Sequence, residues 1–491
     1  MAQNSATTAA RMTAAAAMVA AAATVARWRS ESSICTGGSS LPGRYHRESR
    51  RGGYHRAMAA KRRFRTVKGM HDLVGKAPVF AFVEDKAREV FSLYGYDEVR
   101  TPIVEETELF VRGVGEGSEI VGKQMYTFDD KKGRSLTLRP EGTAPVARAY
   151  LQNNWASGPQ PVKVFYMGPY FRYERPQEGR YRQFHQIGAE LINDSGPYSD
   201  VELLVMLLRF LEELGFEDLE VGLNSVGDPE CRQRYSQRLR EYLAPYRDEL
   251  GADSRRRLET NPLRILDTKA PRERELLEGA PRLRDELGGP ARDHFQVVCD
   301  ELGRFDIDFE IDDRLVRGLD YYTRTVFEIT STALGAQNAI LGGGRYDGLI
   351  AELGGPSVPG IGFAIGQDRL VDLVLKIPGA SRRLNAEDHR RRPVCVIPIG
   401  GSYRRHGMEL AQELRAAGIP AICEFDSLRP LKARLKQAVR HDCRWVVLFG
   451  EDEEKEGKIV LKDFYDRTQE TIQRDRFVEE VAKRRASADS S

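Results

Sequence analysis

Apolar residues from Phe80 onward (Phe80, Val83, Ala87, Val90, Tyr94) recur at spacings of three and four, which predicts an amphipathic helix that Gly95 stops. A strand then runs into Thr101-Pro102, because a proline forces the residue before it into an extended conformation. From 163 to 191 the alternation has period two, broken by a charged loop around Pro176 and Gly179, and reads as a long antiparallel hairpin. Residues 227–303 are rich in Arg, Glu and Leu at helical spacing, the mark of an inserted helical subdomain. Strand patterns return at 305–311 and 323–330. Gly342-Gly343-Gly344 and a strand at 359–366 follow, and then a helix from Gln367. Residues 378–392 are polar and aperiodic, as a linker would be. Beyond them strands at 394–400, 420–425 and 444–450 alternate with helices at 403–417 and 428–440. That order predicts a small α/β domain with a mainly parallel sheet.

Composition narrows this picture. With 491 residues and 41% hydrophobic content, the chain has material for two or three packed cores. No apolar run approaches the ~20 residues of a membrane-spanning helix, so no membrane partner is expected. A net charge of +2 implies no global attraction to nucleic acid, and any basic surface must be local. The six cysteines form no Cys-x-x-Cys pair and no Cys/His set with zinc-ligand spacing. They read as reduced thiols, and no metal ligand is assigned to a protein side chain. Residues 1–63 stand apart. They hold runs of Ala, Ser and Arg, with Glu31 and Glu48 as their only acids. This is the composition of a transit peptide. It predicts import into a chloroplast and/or mitochondrion, against the alternative of a disordered tail that carries no address.

The chemistry gathers on the hairpin. Side chains two apart in a strand share a face. Phe184, Gln186, Gly188 and Glu190 therefore lie together, opposite His185, Ile187, Ala189 and Leu191, which read as core. Arg172 and Glu174 share a face on the incoming side. Such a surface is either a floor for a polar ligand or a solvated sheet face. Three further clusters sit beside glycines. Arg139-Pro140-Glu141-Gly142-Thr143 sets a carboxylate and a hydroxyl two apart. Arg317-Gly318-Leu319-Asp320-Tyr321-Tyr322 puts an arginine and paired tyrosines before a strand. Gly360-Ile361-Gly362 leads to Gly366-Gln367-Asp368-Arg369, an arginine opening a helix. Taken singly, Arg369 is as readily a surface residue and the tyrosines as readily core. Gly-x4-Gly-Lys-Ser/Thr is absent, and no Gly-x-Gly-x-x-Gly stands in a βαβ context. A nucleotide would therefore be held on an antiparallel sheet, with arginines in place of a glycine cradle.

In this order the segments resemble the three motifs of class II aminoacyl-tRNA synthetases. Motif one resembles the helix–strand unit ending in Thr101-Pro102. Motif two resembles Phe171-Arg172-Tyr173-Glu174 through Gln183-Phe184, and motif three Gly360 to Arg369. Leu138-Arg139-Pro140-Glu141-Gly142-Thr143, the 317–322 segment and the loop around Arg175, Gln177 and Arg180 narrow the resemblance to histidyl-tRNA synthetases. It spans about 64–484. One departure is Asp368-Arg369, where motif three usually reads Glu-Arg.

The resemblance implies an α+β fold. An antiparallel sheet flanked by helices would occupy 64–377, interrupted by the helical insertion at 227–303. The linker at 378–392 would lead to an anticodon-binding α/β domain at 393–484 and a tail at 485–491. It implies an ATP-dependent histidine–tRNA ligase, a homodimer, with Mg2+ as cofactor and L-histidine and tRNA(His) as partners. The catalytic groups would be Arg172 and Arg369 on the phosphates and Arg317 between the histidine carboxylate and the α-phosphate. Glu174, Arg180 and Phe184 would complete the ATP site. Glu141, Gly142, Thr143, Gln186, Glu190, Tyr321 and Tyr322 would join Arg317 in binding histidine. Arg175 and Gln177 would meet the acceptor end, and Arg429, Lys432, Arg434 and Lys436 would form a basic face on the anticodon domain. The resemblance leaves the role of the insertion open; the expectation here is a clamp on the acceptor arm. The alternative is a regulatory paralogue without catalysis, although every residue of the pocket set and the C-terminal domain are present.

Overall fold

The computed structural model describes residues 64–115, 118–176, 179–331, 339–377, 392–426 and 428–488. The chain divides into two units, Met1–Phe64 and Arg65–Ser491. Of the first, only Phe64 is described, and it is fully exposed. The expected transit peptide, Gln177 and all but the last residue of the expected linker lie outside the described residues.

The second unit is built on an eight-stranded sheet. In chain order its strands are β1 (Asp97–Glu98), β5 (Val162–Phe171), β6 (Gln183–Ile192), β7 (Leu219–Ser225), β8 (Phe309–Ile311), β9 (Thr323–Ser331), β10 (Ala339–Arg345) and β11 (Gly360–Gly366). A three-stranded sheet beside it takes β2 (Val104–Glu106), β3 (Tyr126–Asp129) and β4 (Ser135–Leu138). The large sheet runs β1-β5-β6-β11-β10-β9-β7-β8, antiparallel throughout except for the parallel pairs at its two ends. The hairpin β5–β6 supplies two central strands in unbroken register from Val162↔Ile192 to Phe171↔Gln183.

One face of the sheet is apolar. Ile187, Ala189 and Leu191 of β6 pack with Ile361, Phe363 and Ile365 of β11 into the main core. Helices Ala77–Leu93, Pro197–Glu213, Gly289–Arg304 and Gln367–Val374 cover that face. The first carries its apolar stripe as expected, with Pro78 in its first turn and Gly95 at φ 78 after its end. The other face holds Gln186, Gly188 and Glu190, as the alternation of β6 requires.

Several expectations need correction. The helix Gly289–Arg304 does not belong to the insertion. Its Phe295, Val298 and Leu302 lie in the main core, and its His294 pairs with buried Asp200 at 2.8 Å. A residue pattern shows that a helix has an apolar stripe but not which neighbour the stripe faces. Strand β8 starts only at Phe309, because Phe305 caps that helix. The C-terminal sheet is mixed. β12 (Val394–Pro398), β13 (Ala421–Cys423) and β14 (Trp445–Phe449) are parallel, but β15 (Lys458–Asp463) and β16 (Thr468–Gln473) extend it antiparallel. The last helix, Phe477–Ala488, runs past the expected boundary at 484. Among the described residues, no helix is long and apolar enough to cross a membrane.

Candidate active site

A cavity of about 540 Å³ opens over the polar face of the large sheet. Glu141, Gly142, Thr143, Arg172, Glu174, Arg180, Phe184, Gln186, Arg317, Tyr321, Tyr322 and Arg369 all line it. Residues far apart in sequence meet here because the central strands stack side by side. Tyr166, Gly188, Ala364, Gly342 and Glu328 form one row across β5, β6, β11, β10 and β9.

The row explains one glycine. A Cβ on Gly342 would lie 2.2 Å from the Arg317 guanidinium carbon, so that side chain rests directly on the strand backbone. Arg317 Nη1 donates to Glu328 Oε1 at 2.7 Å, one strand over. Arg172 Nε donates to Pro140 O at 2.9 Å, and its guanidinium stacks 5.3 Å from the Phe184 ring centroid. Glu174 stands 3.9 Å from both Arg172 and Arg180. Burial pulls the Arg172 and Arg369 guanidinium groups down from their ordinary values, and Arg180 adds to the effect on Arg369. The wall thus holds several cations close together, which favours the arrival of a polyanion.

At the other end, carboxylates are buried. Glu141 accepts from Thr143 N at 2.8 Å and Ala144 N at 2.9 Å, tying it to the N-terminus of helix Thr143–Gln152. Burial raises its carboxyl, opposed by these bonds and by Arg172. Gln186 is buried in the cavity lining, and its Oε1 has no hydrogen-bond partner.

Glu190 is placed differently from the expectation, for it does not line the cavity. It is fully buried beneath Thr143, whose Oγ1 donates to Glu190 Oε1 at 2.8 Å. Tyr166 donates to the same oxygen at 3.0 Å and Tyr346 to Oε2 at 2.7 Å. The sequence reading missed both tyrosines. Tyr166 was legible, since it sits opposite Gly188 in a period-two strand; Tyr346 follows a glycine run that gave no sign of its direction.

The departure at motif three is accommodated by the backbone. Asp368 Oδ2 accepts His185 N at 2.6 Å, so the shorter acid still ties helix Gln367–Val374 to β6. Arg175 is exposed and does not line the cavity. Four insertion residues do line it, and none was expected: Arg257, Arg264, Asp267 and Lys269. On the C-terminal domain Lys432 and Lys436 are exposed and Arg429 pairs with Asp426 at 2.8 Å. Arg434 is not part of that face. It is buried and donates to Pro398 O at 2.8 Å and to Glu424 O, so it caps strand ends.

An antiparallel sheet whose polar face carries motif arginines over a stacking phenylalanine defines a class II aminoacyl-tRNA synthetase. A family model described as "Histidyl-tRNA synthetase" matches residues 75–370, and one described as "Anticodon binding domain" matches 393–484. The histidine–tRNA ligase of Desulforudis audaxviator is 48% identical over 397 residues, 81% of this chain and 93% of the relative. That of Oleidesulfovibrio alaskensis is 47% identical over 411 residues, 83% and 97% of the two chains. The apo crystal structure of the S. aureus histidyl-tRNA synthetase superposes with a TM-score of 0.71 at 34% identity, covering 85% of this chain and 99% of that one. The chain belongs to the histidyl-tRNA synthetase family. Its activity is ATP-dependent ligation of histidine to tRNA, and the regulatory-paralogue alternative finds no support.

Proposed function

We propose that the cavity joins the carboxylate of histidine to the α-phosphate of ATP, giving histidyl-adenylate and pyrophosphate, and that the following side chains do it. Arg172 holds the α-phosphate and Arg369 the γ-phosphate. The adenine lies against Phe184, with Glu174 at its amino group and Arg180 near the pyrophosphate. Arg317 sits between the carboxylate and the phosphorus. Planar guanidinium groups suit this work because they meet oxyanions with a fixed fork of donors. Two anions must be brought together while charge grows on the leaving pyrophosphate, which calls for placed cations more than for a nucleophile. Mg2+ would enter with ATP and supply further neutralisation of its phosphate charge; among the described residues no cluster of His, Cys, Asp and Glu holds a metal by itself.

Histidine is held by its two ends. Its ammonium meets Glu141, Thr143 and the vacant acceptor of Gln186. Its imidazole lies toward Tyr321 and Tyr322, above the Thr143–Glu190 pair. Selectivity follows from buried polar groups that a wrong side chain would leave unpaired, a device capable of ~10⁴–10⁵ discrimination. The observation that carries the reading is the convergence of every one of these residues except Glu190 on the lining of one cavity. ATP–pyrophosphate exchange on the purified protein, with each amino acid in turn and without tRNA, tests it. Exchange is expected with histidine alone; exchange with another amino acid, or none at all, contradicts it.

The acceptor end of the tRNA would meet Arg175 and Gln177, and Lys432 and Lys436 would face its anticodon arm. The protein is a homodimer in this reading, on the strength of exposed apolar residues around the motif-one segment. Residues 1–63 are an import sequence, on the strength of their Arg-rich, acid-poor composition. Fused to a fluorescent protein, they should carry it into a chloroplast or mitochondrion; diffuse fluorescence in the cytosol would rule that out.

A further inference from the structure

The segment that carries Arg317, Tyr321 and Tyr322 has no regular secondary structure of its own. Its first residue is fixed by the sheet, through Gly342 and Glu328. The rest is held by the inserted helices. Asn261 Nδ2 donates to Asp320 Oδ1 at 2.8 Å. Arg264 reaches the same oxygen from Nη2 at 2.9 Å and from Nε at 3.2 Å, and Gly318 O from Nη2 at 3.0 Å. Arg232, from helix Pro229–Leu243, donates through Nη1 to the carbonyls of Asp320 at 3.1 Å and Tyr322 at 3.0 Å.

Three insertion side chains thus occupy both the carboxylate and the main-chain acceptors of this short loop. In the Arg264–Asp320 pair two guanidinium nitrogens converge on one carboxylate oxygen, with the side chains 14% and 30% exposed. The pair therefore holds geometry better than a solvated ion pair does. The same insertion supplies Arg257, Asp267 and Lys269 to the cavity wall. A clamp that served the acceptor arm alone would have no reason to hold this loop.

We propose that the helical insertion is part of the activation machinery: Arg232, Asn261 and Arg264 are positioning residues that set the 317–322 loop for reaction with histidine and ATP before tRNA arrives. The inference rests on the roles given to Arg317 and Tyr322. Its physical basis is the steep dependence of such reactions on placement, where ~1 Å of misplacement costs ~10²-fold in rate.

The test is histidine-dependent ATP–pyrophosphate exchange on the full-length protein without tRNA. Arg264→Ala and Asp320→Asn should each lower kcat about 10- to 100-fold, with little change in the KM for ATP. The double variant should lose less than the two single losses combined, because Asp320→Asn weakens and Arg264→Ala removes the same Arg264–Asp320 ion pair. Arg264→Lys should recover only part of the rate, since an ammonium cannot reproduce the fork. Arg256→Ala, an exposed residue of the neighbouring helix, should exchange like the wild type. Asp320→Asn keeps the volume of the side chain and carries the test if Arg264→Ala fails to fold. Unchanged exchange in both single variants overturns the proposal, as do fully additive losses. If instead the wild type shows no histidine-dependent exchange, or Arg317→Ala keeps it, the reading of the site itself has failed.

Discussion

Glu190 is a carboxyl enclosed by three hydroxyls, and burial outweighs their donated bonds, pushing it up to about 8, with Glu141 adding to the effect. The folded protein therefore keeps the group protonated over a range in which the unfolded chain, titrating near its ordinary value of ~4.3, has released the proton. Between those values the folded state binds more protons, so stability is greatest at the acid end and falls as pH rises through about 8. Glu190→Gln removes the titration and keeps the shape. Thermal unfolding from pH 5 to 9 should show the wild type losing stability relative to this variant as pH rises, and parallel curves would contradict the buried acid. In exchange assays the same variant should raise the requirement for histidine far more than that for ATP, acting through Thr143, which Glu190 holds in the cavity wall; equal effects would cut Glu190 off from histidine binding.

At the scale of elements, what the chain revealed in advance depended on whether a pattern has one physical cause. The hairpin was legible because period two has a single meaning when its two faces differ, as Ile187, Ala189 and Leu191 differ from Gln186 and Glu190. Helix Gly289–Arg304 was legible as a helix but not as part of the catalytic core, since its stripe could face either neighbour. β16 escaped notice because five of its six residues are exposed, so burial never imposed an alternation on it. Arg434 was misplaced because a helical arginine reads as solvent-facing until the strand ends it caps are seen. Arg264 and Asn261 could not be foreseen as neighbours of the 317–322 loop, because their bonds cross more than fifty residues and carry no periodic signal. The pocket set itself was legible through the motifs, which name residues without requiring the path that brings them together.

For the whole molecule, the remaining question is the number of chains, and the motif-one region bears on it. Ile103 is 43% exposed, Val104 39% and Phe128 45%, and the strands of Val104 and Phe128 flank β4 in the small sheet. Exposed apolar side chains on this sheet would suit a contact with a second copy of the chain. This region is also wired to the active site. Arg139 Nη1 donates to Thr101 O at 2.8 Å and to its hydroxyl at 3.0 Å, and Arg139 Nε donates to Pro169 O on β5 at 3.0 Å. Two residues along the chain from Arg139 stands Glu141. Covering the motif-one surface with a second copy would steady Thr101, and through Arg139 both the hairpin and the ammonium site. Sedimentation at micromolar concentration should therefore give twice the chain mass, and Ile103→Asp with Val104→Asp should shift it toward the monomer. If the wiring matters, that monomer should lose histidine-dependent exchange at least about tenfold, the effect of roughly 1.4 kcal/mol at the transition state. A wild-type monomer would dispose of the dimer; a variant monomer with full exchange would leave the dimer standing but cut its link to catalysis.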